Sequence, residues 1–554
     1  MEIKYKENKK YINNEKFYIN NINEMNINNS FKNRYIYKCL NLFKTYLYIN
    51  INYLSKLIYK YNSKNKNLIK NNKIIFLILL WIYILINLVN PILTEDTFGN
   101  NRKLEEVQSL NIKVKKIGTS EKLKIINSDF RPNKIYINGV SSSVDKEGYV
   151  IIKNNLPQYD LTLEWKEKRE KYTKLFRNIE SLIEVDFTNF DSTKVIATSY
   201  MFTNCKNLNY INFTNFNTSA ITDMSSMFES CVSLESIDLS NFDTLKVTTM
   251  ESMFKQCISL TSLNLTSFRT PKLKTMNEMF ASCESLKKID LSSLDTSLVT
   301  SMISLFSNCY KLTSLDITNF ITKNVKFMNE LFMNCESLES IDLSKFDTSN
   351  TINMSYMFNE CYSLISLNLS SFNTLKVENM DYMFNNCNLL KYLDISSFDT
   401  SEVISMKNMF SECTSLISLD ISNFDLSQKN LENYFRNCNS LISIKFSREY
   451  KLLGKIDRMF SGCSSLISLD LYNFDFDLVN NMEALFSQCS SLTSLDLSNI
   501  DTFSITSMDY MFYECSSLRT LNIQKWNTAS LSLISHMFYN CSSLISLKLN
   551  TIFK

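Results

Sequence analysis

From residue 179 onward the apolar positions of the chain recur at a fixed spacing. Each unit carries a Phe, a Cys three residues later and a Leu three residues after that, as in Phe228, Cys231 and Leu234. Ile, Leu or Phe follow six and eight residues past the Cys, an alternation that predicts a short strand with one buried face. Ahead of the Cys, residues such as Met250, Met253, Phe254 and Cys257 stand at i, i+3, i+4 and i+7. That spacing predicts one face of a short α- or 3-10-helix on the return side. A further Phe (Phe242, Phe268, Phe346, Phe372, Phe398) falls eleven residues past the Cys. Strand and return arc each bury one face, and neither can do so alone, so the units must stack. The predicted fold class is an α/β-type repeat solenoid, a right-handed coil of short parallel strands joined by helical or 3-10 return arcs.

The cysteines act as a ruler. They fall at 205, 231, 257, 283, 309, 335, 361, 387, 413, 438, 463, 489, 515 and 541, 26 residues apart except for the two steps of 25 that flank Cys438. One earlier unit fits with Ile179 in the Cys place, preceded by Phe176 and followed by Leu182, Val185 and Phe187. The expectation is a solenoid over 179–554, with 14 full repeats and a half repeat. Strands stacked about 4.8 Å apart would make a ladder on the order of 70 Å long.

The pattern differs upstream. Residues 108–165 hold short β-rich runs (LNIKVKKI, KLKIIN, KIYING, GYVIIK, DLTLEW) separated by turn residues such as Asn138-Gly139 and Asp145 to Gly148. They predict four or five strands in an entry and capping region over 94–178, whose charged end, 166–178, reads as a helix. Residues 74–93 (IIFLILLWIYILINLVNPIL) carry no charge over twenty positions, enough to span the roughly 30 Å bilayer core as a helix. Lysines precede the segment, and Glu95 and Asp96 follow it. A signal-anchor is expected, with 1–73 in the cytoplasm and the repeats outside the cell or in a lumen. A cleaved signal peptide fits less well, because its leading region would be far too long and no small-residue cleavage site follows.

The unit CxSLxSLDLSNFDTSxVTxMxxMF closely resembles the repeat of BspA-like leucine-rich-repeat surface proteins. Cys231 to Phe254 (CVSLESIDLSNFDTLKVTTMESMF) and Cys335 to Phe358 (CESLESIDLSKFDTSNTINMSYMF) carry the likeness, which covers about two thirds of the chain. The resemblance implies an exported, surface-displayed binding protein, some members being adhesins for host or matrix proteins. It also implies that the stretch ahead of the repeats is a β entry segment.

Composition narrows the chemistry. Six glycines in 554 residues, with no GxGxxG or GxxxxGK[ST], leave little to cradle a nucleotide phosphate. The single histidine, His536, excludes paired-imidazole and HExxH sites, and no C-x2-C pair suggests zinc. The expectation is no enzyme, no cofactor and no metal. The net charge of +3 hides a basic head and an acidic body, because residues 1–73 carry +11 and residues 179–554 carry −13. The body should therefore repel nucleic acid. Each Cys closes an apolar face, so the cysteines are expected to form a buried, reduced ladder rather than disulfides.

The candidate ligand face is the open side of the strands. Seven residues past the Cys stand Asp238, Asp290, Asp316, Asp342, Asp394, Asp420, Asp470 and Asp496, with a row of Ser and Thr beside them. This stripe reads either as a capture surface for a basic ligand or as a solvated hydrogen-bonded ladder. Ile417, Ile442 and Ile467 form an apolar row four residues past the Cys, in the region holding both 25-residue steps. There Lys445 replaces the Asp, Glu449 replaces the core Phe, and Arg448 lies nearby. The partner expected is a protein or glycan at the cell surface. A last repeat without a polar cap predicts end-to-end self-association.

Overall fold

The computed structural model describes residues 107–446, 450–453, 455–472, 474–498 and 500–549. The basic segment 1–73, the apolar segment 74–93, Arg448 and Glu449 lie outside the described residues. Among the described residues no helix is long and apolar enough to cross a membrane.

The entry region holds six strands rather than four or five: β1 (Gln108–Lys115), β2 (Lys122–Lys124), β3 (Lys134–Ile137), β4 (Val140–Ser142), β5 (Tyr149–Ile151) and β6 (Gln158–Trp165). Asn138 and Gly139 both take left-handed φ (48° and 79°), the geometry a two-residue hairpin between β3 and β4 requires. The strand β1 pairs antiparallel with β6 and, on its other edge, with β7 (Leu182–Asp186), the first strand of the solenoid. The strand β8 (Tyr210–Asn212) extends the same sheet in parallel, giving the order β4-β3-β6-β1-β7-β8. Capping region and solenoid thus share one sheet and one apolar core, which runs from Leu110 to Met537.

The solenoid makes about 14 turns with almost no helix. The predicted return helices do not form, and among the described residues the one helix is the 3-10 turn Ser128–Phe130. Segment 166–178 is likewise not a helix; it supplies the first arc, where Lys171 bridges Ala197 of the next turn. The physical reason lies in pitch. Packed helices sit about 8–10 Å apart, whereas neighbouring strands sit about 4.8 Å apart. An arc that steps in time with the strands must send amides along its whole length to the next turn, whereas a helix turns every amide past its first turn back onto itself.

The arcs achieve this with alternating conformations. The residues five and one before each Cys, such as Ser226 and Ser230, take left-handed φ (52° and 58°) although neither is glycine. Alternate amides then point along the solenoid: Ser226, Phe228 and Ser230 donate to the carbonyls of Glu251, Met253 and Lys255 (2.7–2.9 Å). The amides between them close local turns, as Cys231 does on Phe228 (3.1 Å). The spacing i, i+3, i+4, i+7 was therefore read correctly as a buried face and wrongly as a helix.

Three further columns tie turn to turn. The Phe rings three before each Cys stack from Phe176 to Phe538 without a gap, and neighbours such as Phe254 and Phe280 lie 6.0 Å apart and 2° from parallel. Each Cys Sγ donates to the carbonyl of the Phe in the preceding turn, as Cys335 does to Phe306 (3.2 Å). On the opposite flank, a buried Thr thirteen residues past the Cys makes two bonds to the next turn. Thr348 donates to the Asn373 carbonyl (2.9 Å) and accepts the Asn373 N–H (2.8 Å). This Thr column runs through Thr218, Thr244, Thr270, Thr296, Thr322, Thr348, Thr374 and Thr400, and it had no counterpart in the reading of the sequence.

The strand side is paired less evenly. In the middle turns it shows single parallel bridges, Asn264 to Asp290 to Asp316 and Asp342 to Asn368 to Asp394. Full strands return at β9 (Ser418–Asp420), β10 (Ser443–Lys445), β13 (Ser494–Asp496), β14 (Thr520–Ile523) and β15 (Ser546–Leu549), whereas β11 (Tyr450–Leu453) and β12 (Phe474–Leu478) lie eleven to fifteen residues past the Cys, on the flank of the Thr column. Around the short units the regular columns lapse. Leu426, Lys451 and Phe476 occupy the Thr place, and β11 pairs β12 with a register shift between Lys451 and Leu453. The bridge row on the arc flank, continuous from Lys171 to Asn430, resumes only at Asn481.

Replacing Thr348 by Val keeps the shape and strands the Asn373 N–H and carbonyl. It should destabilise the chain by about 1–3 kcal/mol in urea titration, whereas Thr348→Ser should cost clearly less. Equal losses in the two variants would show that the inter-turn bonds contribute nothing.

Candidate interaction face

The side chains proposed to bind a ligand sit where alternation along the strand put them. Asp394, Asp420, Asp470 and Asp496 are all exposed on the strand side. Their carboxylates are already engaged at short range. In nearly every turn the Oδ1 atom accepts the backbone N–H two residues on, as Asp238 does from Ser240, Asp394 from Ser396, Asp470 from Tyr472 and Asp496 from Ser498 (2.9–3.0 Å). Where Asn replaces Asp the same bond persists, for instance from Thr266 to Asn264 (3.0 Å). The row is thus a series of side-chain caps on the turn that ends each strand. The Ser hydroxyl, and then its N–H, holds the carboxyls of Asp238, Asp394 and Asp496 below the usual carboxylate range. A metal would have to compete with those bonds, and among the described residues no group of three His, Cys, Asp or Glu is placed to hold one.

At the break the row changes sign. Lys445 pairs with Asp420 across the β9–β10 step, with Nζ 2.7 Å from Oδ2. The lysine, then the Ser422 hydroxyl, lowers the Asp420 carboxyl to about 2. Both partners are more than half exposed, so the pair adds little stability. It does cancel the charge of the stripe at that point. Ile442 donates its N–H to the Ile417 carbonyl (2.9 Å), which places those two side chains on neighbouring turns. Ile442 and Ile467 are 47% and 52% exposed, while Ile417 is half-buried, so the apolar row is real but two residues deep rather than three. Arg448 lies outside the described residues, and nothing places it beside Lys445.

The cysteines chemically resemble one another. Those from Cys205 to Cys515 are buried, Cys541 is half-buried, and all are free thiols. Burial pushes Cys257, Cys309, Cys361, Cys413 and Cys463 up to about 12. A thiol so held is neither a nucleophile nor a metal ligand near neutral pH.

Two features escaped the sequence. On the last arcs, His536 stacks flat on Tyr510 (5.1 Å, 0°) and Tyr513 on Tyr539 (5.1 Å), so the lone histidine belongs to an aromatic array rather than standing by itself. At the other end, Tyr210 rises from β8 between two hollows on the outward face of the shared sheet.

Four stretches of the chain, 170–289, 259–366, 360–448 and 454–550, match the model of one family, described as "Mycoplasma protein of unknown function, DUF285". The chain belongs to the DUF285 family. The matches part between 448 and 454, within the break. No functionally curated protein matches the sequence. Among solved structures, the chain is similar to a leucine-rich-repeat protein of T. pallidum, at 16% identity over 42% of this chain and 76% of the other, with a TM-score of 0.17. A leucine-rich-repeat protein of Eubacterium ventriosum ATCC 27560 is similar at 16% identity over 53% and 86%, with a TM-score of 0.24.

The buried thiols predict a pH dependence. They are protonated in the folded chain, and unfolding returns them to an ordinary value near 9, where they ionise. Their contribution is fully present below about pH 8 and is lost as pH rises through 9 towards 12. The urea midpoint should fall above about pH 9, less steeply in a Cys309→Ala/Cys361→Ala chain. Equal slopes would contradict the assignment.

Proposed function

We propose that this DUF285 chain is a non-catalytic binding protein, displayed at the cell surface through an apolar anchor, that contacts proteins or glycans with the strand side of its solenoid. The observation that carries the reading is the exposed pair Ile442 and Ile467 on consecutive turns, set in a field of capped Asp, Asn and Ser where both 25-residue steps fall. Solvent-exposed aliphatic side chains on an otherwise polar face mark contact surfaces. Asp394, Asp420, Asp470 and Asp496 would frame that contact, and Lys445 with Arg448 would distinguish it from the regular turns. Leucine-rich-repeat-like solenoids commonly mediate protein binding, and the likeness of the repeat to BspA-like surface proteins points the same way.

The acidic body, −13 over residues 179–554, disfavours nucleic acid as the partner. The rival is a surface coat built of solenoids without a specific ligand. It draws on the uniformity of the other turns, which present the same capped Asp or Asn again and again.

The test pairs surface labelling with crosslinking on cells expressing the full-length chain. The repeats should be labelled on intact cells. Ile442→Asp with Ile467→Asp should cut crosslinking to the bound neighbour by about tenfold or more, since each buried Ile side chain contributes roughly 1.5–3 kcal/mol. Thermal stability should stay unchanged. A chain inaccessible from outside, or undiminished crosslinking, would contradict the reading.

A further inference from the structure

The shared sheet turns one face to the core and the other outward. Registers place Asp160, Lys113, Glu184 and Tyr210 in one outward row, and Thr162, Asn111, Asp186 and Asn212 in the next. Three strand-to-strand steps make each row about 14 Å long. The side chains are ordered before any ligand arrives: Lys113 donates to Glu184 (2.6 Å), Thr162 to Asn111 (2.9 Å) and Asn212 to Asp186 (2.9 Å). Tyr210 stands among them 55% exposed, in a place where most other turns carry Ser. It lines both neighbouring hollows. One, of about 330 Å³, is framed by Lys113, Asp160, Thr162, Glu184 and Asp186; the other, of about 280 Å³, by Asn212, Thr214, Ser236 and Asp238.

We propose that this face is a binding site for an unbranched neutral oligosaccharide, with one sugar ring stacked on Tyr210 and its neighbours seated in the two hollows. The proposal rests on the reading of the chain as a binding protein and names a ligand class for it. Three observations select the class. The floor is the face of a sheet in which β6, β1 and β7 are each paired on both edges, so an extended peptide lying across it finds no backbone edge there to join. Asp160, Glu184, Asp186 and Asp238 line the hollows against Lys113 alone, which repels phosphorylated, sulfated or carboxylated sugars. Sugar hydroxyls both donate and accept, matching a lining of carboxylates, amides and hydroxyls, while the C–H face of a pyranose is an apolar partner for an exposed ring. Water-bridged polar contacts of this kind suit shallow hollows.

The test is calorimetric titration of the full-length chain with maltohexaose, cellohexaose and chitohexaose, beside hexa-arginine and a heparin hexasaccharide. At least one neutral hexaose should bind and the heparin fragment should not. Tyr210→Ala should weaken hexaose binding on the order of tenfold, and Tyr210→Phe, which keeps the ring, by less than about threefold. Tyr392→Ala should change nothing, because Tyr392 holds the same repeat position, is 66% exposed and lines neither hollow. Failure of all three hexaoses, equal binding by Tyr210→Ala, or hexa-arginine as the probe that Tyr210→Ala loses would each overturn the proposal. If crosslinking at the Ile442 face persists alongside such a failure, the glycan assignment falls and the binding reading stands.

Discussion

Everything in the solenoid depends on a single pitch. Each turn must advance by one strand spacing on both flanks, and the arc meets that demand by sending every second amide to the next turn. The left-handed φ values that make this alternation cost on the order of 1 kcal/mol or more each. What holds them is the stacked Phe column, the thiol donated to the Phe carbonyl and the amide that the same Phe sends onward. Phe332, for example, stacks on Phe358 at 5.6 Å, accepts the Cys361 thiol at 3.2 Å and donates to Met357 at 2.9 Å. Two of these contacts are backbone ones that any residue could make; the ring stack is the one that calls for an aromatic side chain in each unit.

The break shows how independent the two flanks are. Through the break β9 and β10 stay in even register, but β11 pairs β12 with a register shift, and the Thr column and the bridge row lapse. The Phe rings do not: Phe410, Phe435, Phe460 and Phe486 remain stacked at 5.6–5.9 Å. Their amides still reach Tyr434, Met459, Leu485 and Met511 at 2.8–3.0 Å. Each one-residue deletion falls between the Thr place and the arc, as from Leu426 to Asn430, where the loop shortens without moving the Phe column. Lys445, Ile442 and Ile467 depart from the regular turns on the strand side, where β9 and β10 keep their register. In the proposed reading, recognition falls on the strand side and stability on the arc.

Much of this was legible in the residues. The Cys ruler established the repeat and the number of turns, and the positions three, six and eight past each Cys proved to be the core. The Asp row was correctly placed on the open side, and its second reading, as a hydrogen-bonded ladder, is the one its geometry favours. The helix was misread because Met250, Met253, Phe254 and Cys257 share a face in either conformation. Apolar spacing records which side is buried, not which amides bond to which carbonyl. The Thr column was missed because a buried Thr is indistinguishable from a surface one until the neighbouring turn is in place. Tyr210 was missed for a related reason: its partners Glu184, Lys113 and Asp160 join it only through the register with β1 and β6.

The claim that the arc is the spine is tested most directly by native-state hydrogen exchange, read by mass spectrometry across 413–489. The account predicts that the arc amides of Phe435, Phe460 and Phe486 are as protected as those of Phe332 and Phe358, while the amides of β11 and β12, on the flank where the Thr column lapses, exchange far faster. Equal loss of protection on both flanks through the break, or slower exchange in β11 and β12 than in the arcs, would contradict it.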